Sequence, residues 1–360
     1  MKKNIFTVII ITFLFLTQFN LKAQSLEETL SNLSSTVGKA YVAPVISAFG
    51  SNLNSGWVSK LPPADFLGLH LDVKVIAMGS FFSSDVKRFS ASGDFYFSEY
   101  QVQQILYNSN ITPNNIGTQN YNNLKNELMH TKFNVNFSGP TIVGSKNEYM
   151  KVKFPGKTIQ AGNQQYTVNP YELSLQEVTG FLDELPAFPT AAVQLTVGTV
   201  AGTYASFRYL PSVDIQDMGK FSFWGIGFIH NTGVWFKNPL PLDLAVAFFT
   251  QKLKVGDIFE SSATQYGLYT GKTFGGIVSI TPYAGFTFEN SKTTVQYDYQ
   301  SNETVNGVPV PPTKVNFELE GNNNSAFTIG LNIKLVAINI NADYKFAKTK
   351  TASAGISLGF

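Results

Sequence analysis

His70 and Asp72 stand two positions apart in FLGLHLDVKV, a spacing at which a carboxylate could orient an imidazole for proton transfer. In an extended strand the same spacing only places two polar neighbours on one face, and that reading is the plainer one. His130 and His230 lie far from His70 and from each other, so no histidine pair has the helical spacing of metal ligands. Glu127 and Glu148 have no acid or base partner at catalytic spacing, no Gly-x-Ser-x-Gly elbow precedes a helix, and no phosphate-binding loop is present. The chain has no cysteine, which removes disulfides, thiolate metal ligands, a cysteine nucleophile and a lipid-bearing cysteine. Neither a metal nor a cofactor is implied, and enzymatic activity is not expected.

The elements that hold these polar residues have a period of two. In FLGLHLDVKV the residues Leu67, Leu69, Leu71, Val73 and Val75 oppose Gly68, His70, Asp72 and Lys74. PLDLAVAFFT sets Leu242, Leu244, Val246 and Phe248 against Asp243, Ala245, Ala247 and Phe249. AFTIGLNIKL alternates Phe327, Ile329, Leu331, Ile333 and Leu335 with Thr328, Gly330, Asn332 and Lys334. AININADYKF sets Ile338, Ile340, Ala342, Tyr344 and Phe346 against Asn339, Asn341, Asp343 and Lys345. Each segment has one fatty and one polar face, and each is close to the length of a tilted strand that crosses a bilayer.

Composition favours the same environment. Charged residues make up 14% of the chain, against roughly 25% in ordinary soluble domains, and aromatics make up another 14%. Lys plus Arg is 26 against 24 acidic residues, so nucleic acid is not an expected partner. MKKNIFTVIIITFLFLTQFNLKAQ has the charged, apolar and small-residue order of a signal peptide, with cleavage expected after Ala23. No later apolar run is long enough for a membrane helix. These features predict an all-β membrane protein, an antiparallel transmembrane β-barrel of about 10 to 14 strands in a Gram-negative outer membrane. Its polar faces would line the lumen through His70, Asp72, Lys74, Asp243, Asn332, Lys334, Asn339, Asn341, Asp343 and Lys345.

TASAGISLGF closes the chain with alternating apolar residues and an aromatic end. It looks like the terminal strand signal read by the barrel-assembly machinery, with Gly355, Leu358 and Phe360 as its key positions. Taking Phe360 as periplasmic gives about ten strands: 66–79, 190–198, 203–211, 220–231, 241–254, 262–274, 277–300, 312–335, 338–347 and 351–360. Residues 80–189 form a large excursion, expected outside the cell, with a helix-like SEYQVQQIL. Residues 24–64 form an N-terminal helical segment before the barrel at 65–360. Its Ser25 and Glu28 resemble a capping box, Leu26, Leu30, Leu33 and Val37 recur at helical spacing, and Pro44 is expected to break it in two. Val45, Ile46, Phe49 and Trp57 are the expected plug residues inside the lumen, with the first helix at the periplasmic mouth.

VQLTVGTVAGTYASFRYLP and WGIGFIHNTGVWFKNPLPLDLAVAF, together with the N-terminal helical segment, resemble the long-chain fatty-acid transporter family of outer-membrane proteins. The stretch carries a glycine-rich strand, His230, an inner connection with Trp235, and then Leu240 to Ala245. It resembles in particular the uncharacterised Bacteroidota-type members known only as a domain of unknown function. The family's usual barrel has 14 strands, and residues 80–189 carry no motif that aligns. The resemblance implies passive uptake of a hydrophobic or amphipathic small molecule through a narrow plugged barrel. Phe81, Phe82, Phe95, Tyr96 and Phe97 would supply an apolar groove near the outer rim, or pack the excursion on itself. Besides that ligand, the expected partners are outer-membrane lipid and the assembly machinery. A structural or adhesive surface protein and a small polar-solute channel are the alternatives.

Overall fold

A strand with one fatty and one polar face buries both only if a membrane covers the first and a filled lumen covers the second. The computed structural model describes residues 35–359 apart from 162–163, 177, 181, 184, 216–218, 239, 300–303, 306–307 and 310. The expected signal peptide, the Ser25–Glu28 box, Leu26, Leu30, Leu33 and Phe360 lie outside the described residues.

Ten described strands close into an antiparallel barrel: β1 (Leu67–Phe81), β2 (Ala187–Val200), β3 (Thr203–Ile215), β4 (Gly219–Asn231), β5 (Asp243–Val255), β6 (Phe259–Gly271), β7 (Val278–Tyr299), β8 (Ser325–Leu335), β9 (Ile338–Phe346) and β10 (Thr351–Gly359). Each pairs with its sequence neighbour, and β1 closes the ring on β10 with Asp72 opposite Gly359 and Ser80 opposite Thr351. Closure leaves no open sheet edge in the ring. Side chains obey the sequence alternation: Leu331 and Ile340 point outward, whereas Asn332 and Asn341 are each 1% exposed. Val73, Phe228, Val246, Leu268, Ile280, Ile329 and Ile356 continue the outward apolar belt. So large an exposed apolar surface on a closed barrel is a lipid-facing surface.

The two ends differ. At one end, here the closing end, the turns at Ala201–Gly202 and Val336–Ala337 are two residues long. The other end carries the excursion between β1 and β2 and is the cap end. The excursion is not all-β. Strands 88–95, 133–140, 150–154 and 171–175 form an antiparallel sheet, joined by helices Glu99–Asn108, Pro113–Ile116 and Thr118–His130. The helix expected in SEYQVQQIL is present, and a reciprocal capping box between Ser98 and Gln101 starts it. Thr118–His130 escaped the sequence reading because its asparagine-rich exposed face masks a short buried stripe, Leu124 and Leu128. Phe95 and Phe97 are buried against Phe133, Phe137 and Phe154, so they form the cap core and not a groove.

Helix α1 (Ser35–Leu53) corrects two expectations. It runs unbroken through Pro44, although the missing amide costs a helix about 3 kcal/mol. Burial of Val42, Val45, Ile46, Ala48 and Phe49 on the same helix offsets that cost. The helix also sits at the cap end and not at the closing mouth. Tyr41 donates to Thr179 O at 2.8 Å, Ile142 N donates to Tyr41 O, and Phe49 packs edge-on to Phe188 at 4.6 Å. One continuous buried cluster joins the cap, α1 and the barrel mouth.

Candidate functional site: the occluded lumen

From the end of α1 the chain descends through the barrel as an extended strap, residues 54–66, and reaches the start of β1 at the closing end. Asn54 donates to Asn290 O near the cap end, and Asn231 donates to Pro62 O near the closing end. Gly56 begins the descent at φ +66°, and a Cβ there would lie 2.3 Å from Ile76 Cδ1. Pro62 and Pro63 then prevent a return to helix.

An extended backbone inside a barrel has no ladder of its own, so its carbonyls need donors from the wall. Buried side chains supply them. Lys345 Nζ donates to Ser51 O (2.8 Å) and Asn54 O (3.4 Å), and it pairs with Glu289 at 3.1 Å. Arg208 donates to Ser55 O at 2.9 Å and to Gln194 Oε1 at 3.0 Å. Lys74 Nζ donates to Gly56 O (2.9 Å), Trp57 O (3.3 Å) and Ser59 Oγ (3.2 Å). Gln194 reaches Trp57 O at 3.0 Å, and Tyr283 reaches Val58 O at 2.9 Å. Lys345 also meets the C-terminal end of α1, where backbone carbonyls concentrate partial negative charge.

Trp57 is the central side chain of the strap. Its ring stacks on Phe249 at 4.8 Å, and the Arg208 guanidinium lies over the ring, 3.9 Å from its centroid. Glycines in β4 make room for this pair: a Cβ on Gly227 would lie 2.1 Å from Phe249 Cδ1, and one on Gly225 would lie 3.0 Å from Trp57 Cη2. The glycine-rich strand seen in the sequence is therefore a packing requirement of the strap.

The expected lumen residues fall into two groups. His70, Asp72, Lys74, Asn332, Asn339, Asn341, Asp343 and Lys345 are buried inside, while Asp243 and Lys334 are half-buried at the closing mouth. His70 stacks on Tyr204 at 4.4 Å, and Asp72 accepts from Ser357 Oγ at 2.6 Å and from Asn339 Nδ2 at 3.5 Å. Asp343 accepts from Tyr283 OH, and Asp243 accepts from Asn231. Of the expected plug residues, Val45, Ile46 and Phe49 pack at the cap-end mouth, and Trp57 lies deep in the lumen. Arg208, Glu289 and Gln194 escaped the sequence reading. Their signal was the same alternation, Tyr204-x-Ser206-x-Arg208 and Thr287-x-Glu289-x-Ser291.

What space is left is small. Beneath Trp57, a crevice beside His70, Asp72, Asn332 and Ser357 has a volume of about 20 Å³. One water needs roughly 10–15 Å³, and small-molecule sites run to about 300–1,000 Å³. Among the described residues, no three His, Asp or Glu side chains converge as a metal site. His230 is held by Trp235 Nε1 at 2.8 Å and by Thr203 at 3.0 Å, where it anchors the inner connection.

The fold and site define a transmembrane β-barrel of ten described strands whose lumen is filled by its own N-terminal segment. Residues 1–360 match a family of unknown function, DUF6588, and the chain belongs to that family. No curated protein matches the chain. Among solved structures, it is similar to Ail, the attachment invasion locus protein of Yersinia pestis, at 12% identity and a TM-score of 0.21, over 47% of this chain and 97% of that one. It is also similar to a loop-deleted OmpT, an outer membrane protein of Vibrio cholerae, at 7% identity and a TM-score of 0.21, over 82% and 99%. A third is the transport unit of the autotransporter AIDA-I from Escherichia coli, at 8% identity and a TM-score of 0.27, over 88% and 97%. The barrel assignment rests on the chain's own strand pairing. The likeness to fatty-acid transporters stays a resemblance, since the matching family has no known function.

Proposed function

We propose that this protein is an outer-membrane surface protein in which a sealed barrel anchors the cap, residues 82–186, and presents it outside the cell. The observation that carries this reading is the strap, fastened along the lumen by Lys74, Arg208, Gln194, Tyr283 and Lys345. The buried cluster that joins cap, α1 and barrel mouth supports it, because a cap fixed to its barrel is suited to contact a partner. The signal peptide, and a terminal strand offered to the barrel-assembly machinery, are the expected route to that membrane. In that strand Leu358 is 61% exposed toward lipid, and Gly355 packs against β1 and β9, where a Cβ would meet Asn341 Oδ1 and Val75 O.

Gated uptake of an amphipathic molecule is the second reading. It is favoured by the polar character of the fastening: hydrogen bonds from side chains to an irregular backbone can exchange for others without breaking a β-ladder. The filled lumen speaks against a standing polar-solute channel. The test is conductance of the full chain in planar bilayers. The sealed-anchor reading expects a silent barrel in the presence and absence of amphiphiles such as a fatty acid. Steady conductance, or openings induced by the amphiphile, would replace it with a channel or with gated uptake.

A further inference from the structure

A groove of about 470 Å³ lies on the outer surface at the cap-end rim, between β7, β8 and the top of β9. It arises from a local event in the sequence GNNNSAF. Here the chain steps inward between strand 313–320 and β8, and Asn323 is 6% exposed. The Asn323 amide donates to Ser51 Oγ and Thr349 O, both at 3.0 Å, and accepts from Thr349 N at 2.8 Å. With that residue turned in, the outer side is left as a hollow. Phe286, Phe327 and Phe346 wall it and are 48%, 47% and 45% exposed. Asn324, Ser325 and Lys348 edge it on the solvent side.

The hollow is continuous with the lipid-facing belt below, so its occupant has an apolar part. Among the described residues no Asp or Glu lines it and exposed Lys348 makes no ion pair, so its one charged edge is positive and suits an occupant whose head carries negative charge. The volume lies in the range of small-molecule sites. We propose that this groove docks an anionic, phosphate-bearing membrane lipid. An acyl chain lies along the three phenylalanines, and the phosphate is held between Lys348 and the Asn324–Ser325 edge. This goes beyond the sealed-anchor reading and does not depend on the strap.

Native mass spectrometry of the full chain tests the proposal, with equal amounts of dioleoyl phosphatidylglycerol and dioleoyl phosphatidylcholine offered in micelles. These share acyl chains and differ in head charge. The wild type should retain phosphatidylglycerol preferentially, and Lys348→Gln should reduce that preference about fivefold, the factor one cation contributes at an anionic headgroup. Ser325→Trp, which fills the groove mouth, should lower retention of both lipids, whereas Lys151→Gln on the cap should change neither. Heat-modifiable migration on gels confirms that each variant is folded. Equal retention of the two lipids by the wild type, an unchanged preference in Lys348→Gln, or full retention by Ser325→Trp would each overturn the proposal.

Discussion

Lys345 joins two roles that a pair of variants can separate. It neutralises Glu289 in the wall, where the two side chains are 2% and 1% exposed, and it holds the last turn of α1 and the start of the strap through Ser51 O and Asn54 O. Lys345→Met removes both roles and leaves a carboxylate buried without its partner, a loss of roughly 3–5 kcal/mol. Lys345→Met combined with Glu289→Leu removes the stranded charge, so the wall should regain most of its stability. The strap bonds stay lost. Hydrogen bonds to a charged group contribute roughly 1.5–3 kcal/mol each, and the longer one counts at the low end, so the strap is loosened by about 3 kcal/mol. That corresponds to about a hundredfold rise in the fraction of barrels with the strap displaced. Urea unfolding in micelles reads the first effect and single-channel recording reads the second. The double variant should unfold near the wild-type midpoint and yet show openings that the wild type lacks. A double variant as silent as the wild type would refute the reasoning, because the strap would then be held without Lys345.

Gly227→Ala should push Phe249 into Trp57 and cost about 1–3 kcal/mol as overpacking, visible as a lower urea midpoint; an unchanged midpoint would show that the Trp57 stack is slack. Leu331→Arg on the lipid face should cost about 2–4 kcal/mol at mid-membrane, whereas Leu331→Phe should be near neutral, and equal effects in the same assay would mean the face is misassigned. Because the chain has no cysteine, single reporters are clean: Tyr107→Cys on the cap should react with a membrane-impermeant maleimide in intact cells. Lys237→Cys at the closing end should react only after the outer membrane is permeabilised, and the reverse pattern would invert the orientation.

Inside and outside were legible in the sequence because a strand's period of two is a local property. A one-residue slip would move every side chain to the other face, so Leu331 and Asn332, or Ile340 and Asn341, declare their sides without knowledge of partners. The number of strands followed from the same alternation. The sequence strand 312–335 is in fact two, because Asn323 turns inward to Ser51 and Thr349, a contact that no local pattern announces.

The contents of the lumen were decided only by tertiary structure. Alternation says that Lys74, Arg208 and Lys345 point inward, but whether they meet water, a carboxylate or a carbonyl depends on segments far away in the chain. Lys345 and Ser51 are 294 residues apart. The apolar residues of α1 looked misplaced beside a polar wall, and the end of the barrel they enter was the missing fact. At the cap end Phe49 finds Phe188 and Phe259, and Tyr41 finds the cap. The same packing holds Pro44 in mid-helix against its propensity, because the free energy of buried neighbours exceeds the cost of one lost amide. Periodicity thus determined the wall of this protein, and long-range packing determined that the wall is closed.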